Sequence, residues 1–417
     1  MTGNKTNHFF IFSNSGGCPQ NQLDGGRIVS YLQNNNYVCT KKLNNSDIVI
    51  INSCSYNNLK EKQSFNKTIK FYNSGRNKKL IILTGCLPKI APQLLNDLPK
   101  NIRVIPGCEL DKIEEIIPPT NSNWEQTQIN YIPEPLFHYS KSFRRFIYSI
   151  LSFLRHTLPL KAVYHLDHLL MYDHTPRSFI VEICKGCLGS CTYCVIRCSR
   201  GKLKSRPVDE IIKEIKTGIE SNVKEILLTA TESAAYGIDI GTNLSSLLKN
   251  ILDIIDHQHL LLFYANPRWL IRDWENLKLI FTTGKIHFIH LSLNGGSNSV
   301  LKGMNRGYTL EEFENLIVSI KKLSPDTILQ TQVITGFPGE TEDDFKTTLN
   351  FFKKNYFHNV QVHAFDSRAG TEAATMPDQI SDEVKQKRRR LLYRLTLIKK
   401  VSYDVKYIIR GFQPFQY

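Results

Sequence analysis

Short apolar runs alternate with amphipathic stretches over residues 1–118 of this chain. The runs HFFIFS, DIVIIN and KKLIIL are rich in β-branched and aromatic residues, whereas stretches such as NQLDGGRIVSYLQNNNY have helical spacing. Short β-rich runs separated by helices are typical of parallel strands joined by helical crossovers. The pattern therefore predicts an α/β fold that begins with an open parallel sheet.

A second series of apolar runs begins near Phe179. Its six members are FIVEIC, EILLTAT, LLLFYAN, HFIHLSL, ILQTQVIT and NVQVHAF, again with helical patterns between them. In VDEIIKEIKTGIES, for example, Ile211, Ile212 and Ile215 recur at helical spacing. Six βα units predict an open, partial (βα)6 TIM-like barrel over residues 177–400, with its chemistry at the carboxyl ends of the strands.

The remaining segments are less regular. Residues 119–176 are predicted to form a linker with one or two helices, since the stretches IIPPTNSNW and YIPEPLF carry four prolines. Residues 401–417 are predicted to form a tail. Only nine uncharged residues separate Arg145 from Arg155, whereas a span of the bilayer needs about 20. The amino terminus has no basic region followed by a long apolar core, so we expect no secretory signal, no stable membrane insertion and a cytoplasmic protein.

The composition indicates a polyanionic partner. The 417 residues carry a formal net charge of +15, which favours contact with tRNA or ribosomal RNA over contact with a membrane surface. A basic but merely solvated surface is the alternative. Ten cysteines in a reducing compartment point to metal binding or catalysis rather than to disulfides.

Each apolar run of the first domain is followed by a cysteine: Cys18, Cys54 and Cys86. The carboxyl ends of parallel strands meet at one edge of a sheet, where open α/β folds bind ligands. We therefore expect these three thiols to converge, although more than thirty residues separate each from the next. Three unrelated buried cysteines would be the alternative.

Five further cysteines fall within fifteen positions just after the first barrel strand. They are Cys184, Cys187, Cys191, Cys194 and Cys198. A zinc knuckle needs more residues between its two CxxC pairs, and the order differs from the CxxCxxCxxxCP of bacterial ferredoxins. Cys187, Cys191 and Cys194 form CxxxCxxC, and three thiolates on a [4Fe–4S] cluster leave one iron open. Cys184 and Cys198 are predicted not to be ligands.

The CxxxCxxC spacing, with Tyr193 just before its last cysteine, resembles that of radical S-adenosylmethionine (SAM) enzymes. The resemblance implies that the open iron chelates SAM and that an electron from the cluster cleaves its sulfonium. It also implies that Glu232, in LLTATE, receives the ammonium of SAM and that Gly336, in VITGFPGETEDDF, lies along its adenine. A helix-capping acid and a turn glycine are the plainer alternatives. The same stretch predicts a capping box between Thr341 and Asp344.

From about residue 8 to residue 395 the chain resembles the radical SAM methylthiotransferases. The motifs that carry the resemblance are GGCPQNQLD, DIVIINSC, LTGC, GCLGSCTYCVIRCSRGKLKSRP, AYGIDIGTNLSSLL, VLKGMNRGYTLEEF, ITGFPGETEDDF and SRAGTEAATM. The resemblance implies a second, auxiliary [4Fe–4S] cluster on Cys18, Cys54 and Cys86. It also implies two SAM molecules per turnover, one to methylate a sulfur on that cluster and one to abstract hydrogen. A reducing donor such as flavodoxin or ferredoxin would supply electrons.

Family members modify either a hypermodified adenosine of tRNA or an aspartate of a ribosomal protein. AYGIDIGTNL is most similar to members that act on threonylcarbamoyl-adenosine, whereas CPQNQLD and RGKLKSRP are similar to the ribosomal-protein branch. Positive charge favours tRNA as the substrate, with a ribosomal protein or peptide as the second candidate. A non-catalytic RNA-binding relative is the alternative to an enzyme. The sequence differs from the family pattern in the stretch HLSLNGG, which contains Ser292 and Asn294. Because it continues only to VKYIIRGFQPFQY, we expect no C-terminal TRAM domain. It assigns no role to Cys39 or Cys108.

Overall fold

The computed structural model describes residues 7–14, 18–74, 79–127, 129–130 and 178–409, the last six without side chains. These residues divide into two compact units. The first unit contains the described residues up to 130 together with 178–180 and 195–201, and the second contains 181–194 and 202–409. The predicted linker helices and the apolar stretch between Arg145 and Arg155 lie outside the described residues.

The first unit is built on a five-stranded sheet in the order β2-β1-β3-β4-β5, with every pair parallel. Its strands are β1 (His8–Ser13), β2 (Val38–Cys39), β3 (Ile48–Ser53), β4 (Leu80–Gly85) and β5 (Arg103–Val104). Its helices are α1 (Pro19–Asn34), α2 (Asn58–Ser74), α3 (Leu87–Ile90), α4 (Ile113–Ile116) and α5 (Ile196–Arg200). The three predicted strands are confirmed as β1, β3 and β4, which form the centre of the sheet.

Buried β-branched residues explain why these strands are central. Every residue of β3 is buried, as expected for a strand covered on both faces of a parallel sheet. Val49 and Ile51 pack with Ile81 and Leu83 of β4 and with Phe71 of α2. The two edge strands are only two residues long, which is too short for a periodic pattern to reveal.

The second unit contains a seven-stranded sheet in the order β12-β11-β10-β9-β8-β6-β7. Its strands are β6 (Phe179–Lys185), β7 (Lys204–Ser205), β8 (Glu225–Ala230), β9 (His259–Ala265), β10 (Ile286–Asn294), β11 (Ile328–Thr335) and β12 (Asn359–Ala364). From β8 to β12 each strand pairs in parallel with the next, while β7 adds antiparallel to β6. This sequential, open order confirms the predicted partial (βα)6 barrel, and β7 is its unpredicted edge.

Helices follow the strands of this sheet in chain order. They are α6 (Val208–Glu220), α7 (Leu244–Leu252), α8 (Pro267–Arg272), α9 (Trp274–Phe281), α10 (Asn298–Gly303), α11 (Leu310–Leu323), α12 (Glu342–Lys354) and α13 (Asp382–Ile409). The predicted capping box of α12 is confirmed: Thr341 Oγ1 accepts from Asp344 N at 3.1 Å, and Asp344 Oδ2 accepts from Thr341 N at 3.0 Å. Helix α13 continues past residue 400. Within the described part of the chain, no helix has the length and apolar character required to cross a bilayer.

Candidate metal centres

The three cysteines of the first unit lie at the carboxyl edge of its sheet. Cys54 follows β3, Cys86 follows β4, and Cys18 is the residue that precedes α1. Burial raises the pKa of the Cys18 thiol and raises that of Cys54 to about 12, and the nearby Cys86 adds to both shifts. We call Cys18, Cys54 and Cys86 the first triplet.

Backbone and amide hydrogen bonds fix the turns that carry this triplet. Asn21 Nδ2 donates to the carbonyl of Ser53 at 3.1 Å, and Asn52 Nδ2 donates to the carbonyl of Asn21 at 2.7 Å. Cys86 N also donates to the Ser53 carbonyl, at 3.1 Å. Gly85 has a φ of +92°, and a Cβ there would lie 2.2 Å from the Ser53 carbonyl oxygen. Only glycine therefore allows β4 to turn so closely past β3.

A buried ion pair lies beside the first triplet. Arg200, at the end of α5, contacts Asp24 Oδ2 of α1 through Nη1 at 2.5 Å, and its Nη2 lies 4.0 Å from Cys86 Sγ. The two side chains are only 8% and 7% exposed. Neither residue was predicted from the sequence. The available signal was the basic segment that follows Cys194, which composition alone attributes to a solvated or nucleic-acid-binding face.

The second triplet, Cys187, Cys191 and Cys194, lies in the loop after β6. Cys194 N donates to the carbonyl of Cys191 at 3.1 Å. Burial raises the pKa of Cys187, and the charges of Glu232 and Cys194 add to this shift. A Cβ on Gly189 would lie 3.1 Å from Cys187 Sγ and 3.8 Å from Cys191 Sγ. Glycine at this position therefore keeps the space in front of these two sulfurs free of a side chain.

Glu232 is buried at the end of β8 and contacts the second triplet directly. Its Oε2 accepts from Cys187 Sγ at 2.9 Å and from Leu188 N at 3.2 Å. Its Oε1 accepts from Asn266 Nδ2 at 2.7 Å and from Trp269 Nε1 at 3.0 Å. The predicted carboxylate is thus brought to the cysteine loop and held by two side chains that the sequence analysis missed. Both belong to ANPRW, after β9.

Arg306 supplies a cation at the same loop. Its side chain is buried, and its Nη1 donates to Cys191 Sγ at 3.2 Å. Its Nη2 donates to Asn266 Oδ1 at 3.1 Å and to the carbonyl of Ser292 at 2.5 Å. Arg306 was not predicted either, since it follows Cys191 by more than one hundred residues.

Tyr193 and Gly336, the other predicted residues, have contacts within the second unit. Tyr193 Oη accepts from Asn294 Nδ2 at 2.8 Å, so one of the residues that departs from the family pattern binds the cysteine loop. Gly336 has a φ of +74°, its N–H donates to Glu340 Oε2 at 2.7 Å, and a Cβ there would lie 2.4 Å from Lys385 Cγ. Packing against Lys385 already requires glycine, and a contact with SAM adenine stays a prediction.

His290 of β10 is a further buried polar group that sequence reasoning missed. Neither ring nitrogen has a hydrogen-bond partner among the described residues. Burial, reinforced by the charge of His363, lowers the pKa of His290 to about 4. The imidazole is therefore neutral at physiological pH.

The remaining cysteines have different surroundings. Cys184 is fully buried on β6, where its Sγ donates to the carbonyl of Glu232 at 3.6 Å and burial raises its pKa well above the usual value. Cys198 and Cys108 are exposed, and Cys39 is half-buried in β2.

The donor chemistry of both triplets suits an iron–sulfur cluster, because thiolates are the usual ligands of a [4Fe–4S] cube. Each triplet supplies three thiols, and Gly189 keeps the space beside Cys187 and Cys191 free of a side chain. Among the residues that the structure describes, no group of three histidine, cysteine, aspartate or glutamate side chains is arranged to hold a single metal ion.

Comparison with known proteins supports the same conclusion. Residues 181–352 match the Radical SAM superfamily, and residues 11–107 match "Uncharacterized protein family UPF0004". A "Probable threonylcarbamoyladenosine tRNA methylthiotransferase" of Pyrococcus horikoshii is 30% identical over 95% of this chain and 86% of its own length. A "Ribosomal protein uS12 methylthiotransferase RimO" of Geotalea uraniireducens is 31% identical over 91% of this chain and 79% of its own length.

Among solved structures, the radical S-adenosylmethionine methyltransferase TsrM of Kitasatospora setae resembles this chain with a TM-score of 0.58. The two are 12% identical over 88% of this chain and 77% of that one, so this likeness concerns the fold alone. The two sequence relatives by themselves cover nearly the whole of this chain. The chain therefore belongs to the radical SAM methylthiotransferases, a family of transferases that use SAM and a [4Fe–4S] cluster.

Proposed function

We propose that this chain inserts a methylthio group at an unactivated C–H bond of threonylcarbamoyl-adenosine in tRNA, in the cytoplasm. The observation that carries the proposal is similarity to the Pyrococcus horikoshii relative over 95% of this chain, with both cysteine triplets present. A net charge of +15 suits a polyanionic substrate. The motif AYGIDIGTNL favours the same substrate.

In this proposal the first triplet holds the auxiliary [4Fe–4S] cluster and the second holds the cluster that binds SAM. The two clusters and SAM, when bound, would supply one-electron chemistry for a C–H bond that is not acidic enough for a general base. Burial raises the pKa of Cys54 in the first triplet and of Cys187 in the second, and a bound metal would stabilise their thiolates. Flavodoxin or ferredoxin would be the electron donor, and two SAM molecules would be used per turnover.

Glu232 is the proposed acceptor for the ammonium group of SAM. Its Oε2 accepts a hydrogen bond from Cys187 Sγ at 2.9 Å. As a metal ligand Cys187 is a thiolate, so Oε2 then loses this donor and has a lone pair for another. Asn266 and Trp269 hold the opposite oxygen and thereby fix the direction of the carboxylate. A cation placed there would also offset the repulsion between the carboxylate and the thiolate.

Arg306 and Tyr193 support the loop on its other side. The guanidinium of Arg306 donates to Cys191 Sγ and places a positive charge beside this sulfur. Asn294 fixes the hydroxyl of Tyr193, the residue between two ligand cysteines. These contacts hold the loop in one conformation, which reduces the entropy lost when the cluster and SAM bind.

A ribosomal protein is the second candidate substrate. The observation in its favour is the 31% identity to the RimO protein, whose name specifies ribosomal protein uS12. The motifs CPQNQLD and RGKLKSRP point the same way.

Mass spectrometry distinguishes the two substrates. The chain is produced in cells that lack their own methylthiotransferases, beside a matched Cys191→Ala variant. We expect a methylthio mark on threonylcarbamoyl-adenosine from tRNA only with the unaltered chain. A mark confined to uS12 would replace tRNA with the ribosomal protein, and no mark in either, with both proteins folded and loaded with iron, would refute both assignments.

A further inference from the structure

The buried pair of Arg200 and Asp24 is not among the residues proposed to hold a cluster or SAM. A buried ion pair is costly because both charges leave water, and apolar residues of similar volume often serve a fold as well or better. Both side chains are more than nine-tenths buried, and they join the end of α5 to α1 within the first unit. Their location next to the first triplet suggests that their charges matter there.

The pair places one charge of each sign beside the first triplet. Arg200 Nη2 lies 4.0 Å from Cys86 Sγ while Nη1 contacts Asp24. Asp24 belongs to α1, the helix that begins directly after Cys18. Screening by water is weak at such burial, so both charges act on the sulfurs. The guanidinium therefore stabilises negative charge on the triplet, and the carboxylate limits that effect.

We propose that Arg200 and Asp24 set the reduction potential of the cluster held by Cys18, Cys54 and Cys86, acting as positioning residues of opposite sign. The inference rests on the proposed function, which places a cluster on this triplet. Reduction adds one electron to the cluster, with no bond made or broken, and makes it more negative by one charge. A neighbouring cation stabilises the reduced form and a neighbouring anion destabilises it.

The test uses the full-length chain with Cys187, Cys191 and Cys194 changed to alanine, so that iron binds only to the first triplet. The cluster is reduced with dithionite, the electron source, and followed by electron paramagnetic resonance at controlled potential. Three variants are compared in this background: Arg200→Gln, Asp24→Asn and, as a control, Arg197→Gln. Arg197 is exposed on the same short helix.

We expect Arg200→Gln to lower the potential and Asp24→Asn to raise it. A tenfold change in the equilibrium between the two oxidation states corresponds to about 59 mV for one electron, and we expect shifts of about this size. Arg197→Gln should leave the potential unchanged. Arg200→Lys, which retains the charge, should stay closer to the parent than Arg200→Gln.

Opposite shifts separate an electrostatic role from a purely structural one. The inference is overturned if both variants retain about four irons per chain and shift in the same direction or not at all. It is also overturned if Arg200→Gln and Arg200→Lys both lose iron, since the residue then acts as a scaffold. A parent chain that binds no iron would instead refute the proposed function itself.

Discussion

The two cysteine triplets are assembled in contrasting ways. The second occupies a single loop in which Cys187 and Cys194 are seven residues apart, whereas Cys18 and Cys86 of the first are separated by most of a domain. A parallel sheet gathers the first triplet because β3 and β4 end at the same edge. Closely spaced cysteines can be recognised as a site from their spacing in the sequence. A site built from distant cysteines can be recognised only from the order and direction of the strands that carry them.

The charges around the triplets differ as well. The second triplet contacts a carboxylate, Glu232, and a separate guanidinium, Arg306, each on its own cysteine. At the first triplet the cation and the anion neutralise each other in one ion pair. Separate charges can pair with the charged groups of a bound molecule, whereas removal of one member of a buried ion pair leaves the other charge uncompensated. The two triplets are therefore expected to respond differently to substitution.

Removal of a single ligand from each triplet should have the largest effect. We expect Cys191→Ala to abolish both reductive SAM cleavage and methylthio transfer. Cys54→Ala should abolish transfer while SAM cleavage continues, because only the second triplet is proposed to bind SAM. Both activities are measured as 5′-deoxyadenosine and as methylthio product by mass spectrometry. Loss of SAM cleavage in a folded Cys54→Ala chain would contradict this division of roles.

Gly85→Ala should destabilise the first unit and distort the turn that carries Cys86. Positive φ costs about 1–3 kcal/mol for alanine, and the new Cβ would also force the Ser53 backbone to move, so we expect a loss of about 4 kcal/mol. Gly284→Ala is the matched control, because Gly284 also has positive φ but no atom within 4 Å of the added Cβ. Denaturant unfolding measures both. Equal losses would show that the close approach to Ser53 contributes nothing.

Glu232→Gln should weaken SAM binding without removing the cluster. A hydrogen bond to a charged group contributes about 1.5–3 kcal/mol, which corresponds to a roughly 10- to 150-fold rise in the dissociation constant. Equilibrium dialysis with SAM measures this, beside iron analysis and the exposed control Glu220→Gln. Unchanged affinity would remove Glu232 from the proposed SAM site.

Acid should destabilise the second unit through His290. The unfolded histidine takes up a proton near pH 6.5, whereas the folded one does so only near its lowered pKa of about 4. The contribution of His290 to the unfolding free energy is therefore fully present above pH 6.5. It falls as the pH decreases towards 4, by about 2 kcal/mol at pH 5.

Hydrogen exchange of the β10 amides, compared with those of β3, locates this acid effect in the second unit. His290→Phe should remove the His290 part of the pH dependence and leave the part due to His363, whose pKa burial also lowers to about 4. The exposed control His257→Gln should leave the profile unchanged. A pH profile that stays the same in His290→Phe would show that other groups are responsible.

Strands and local motifs were predictable because their signals are short-range. The three central strands of the first sheet, the six main strands of the second and the Thr341–Asp344 capping box all depend on neighbouring residues. Edge strands β2, β5 and β7 were not predicted, since two residues carry no periodicity.

Charged partners at the site were harder to predict than its cysteines. Arg306 reaches Cys191, and Arg200 reaches Asp24, across more than one hundred residues of sequence. Such pairings depend on the strand order of the sheet and on which face a side chain occupies. Asn266 and Trp269 were missed for the same reason, although Glu232, which they hold, was identified from its position at a strand end.

Iron content per folded chain tests the central claim of two separate clusters most directly. Anaerobic reconstitution of the full chain should give about eight irons, and about four when either triplet is changed to alanine. Cys184→Ser and Cys198→Ser should retain about eight, as expected of non-ligands. A full chain that binds about four irons and loses all of them when only one triplet is removed would contradict the account.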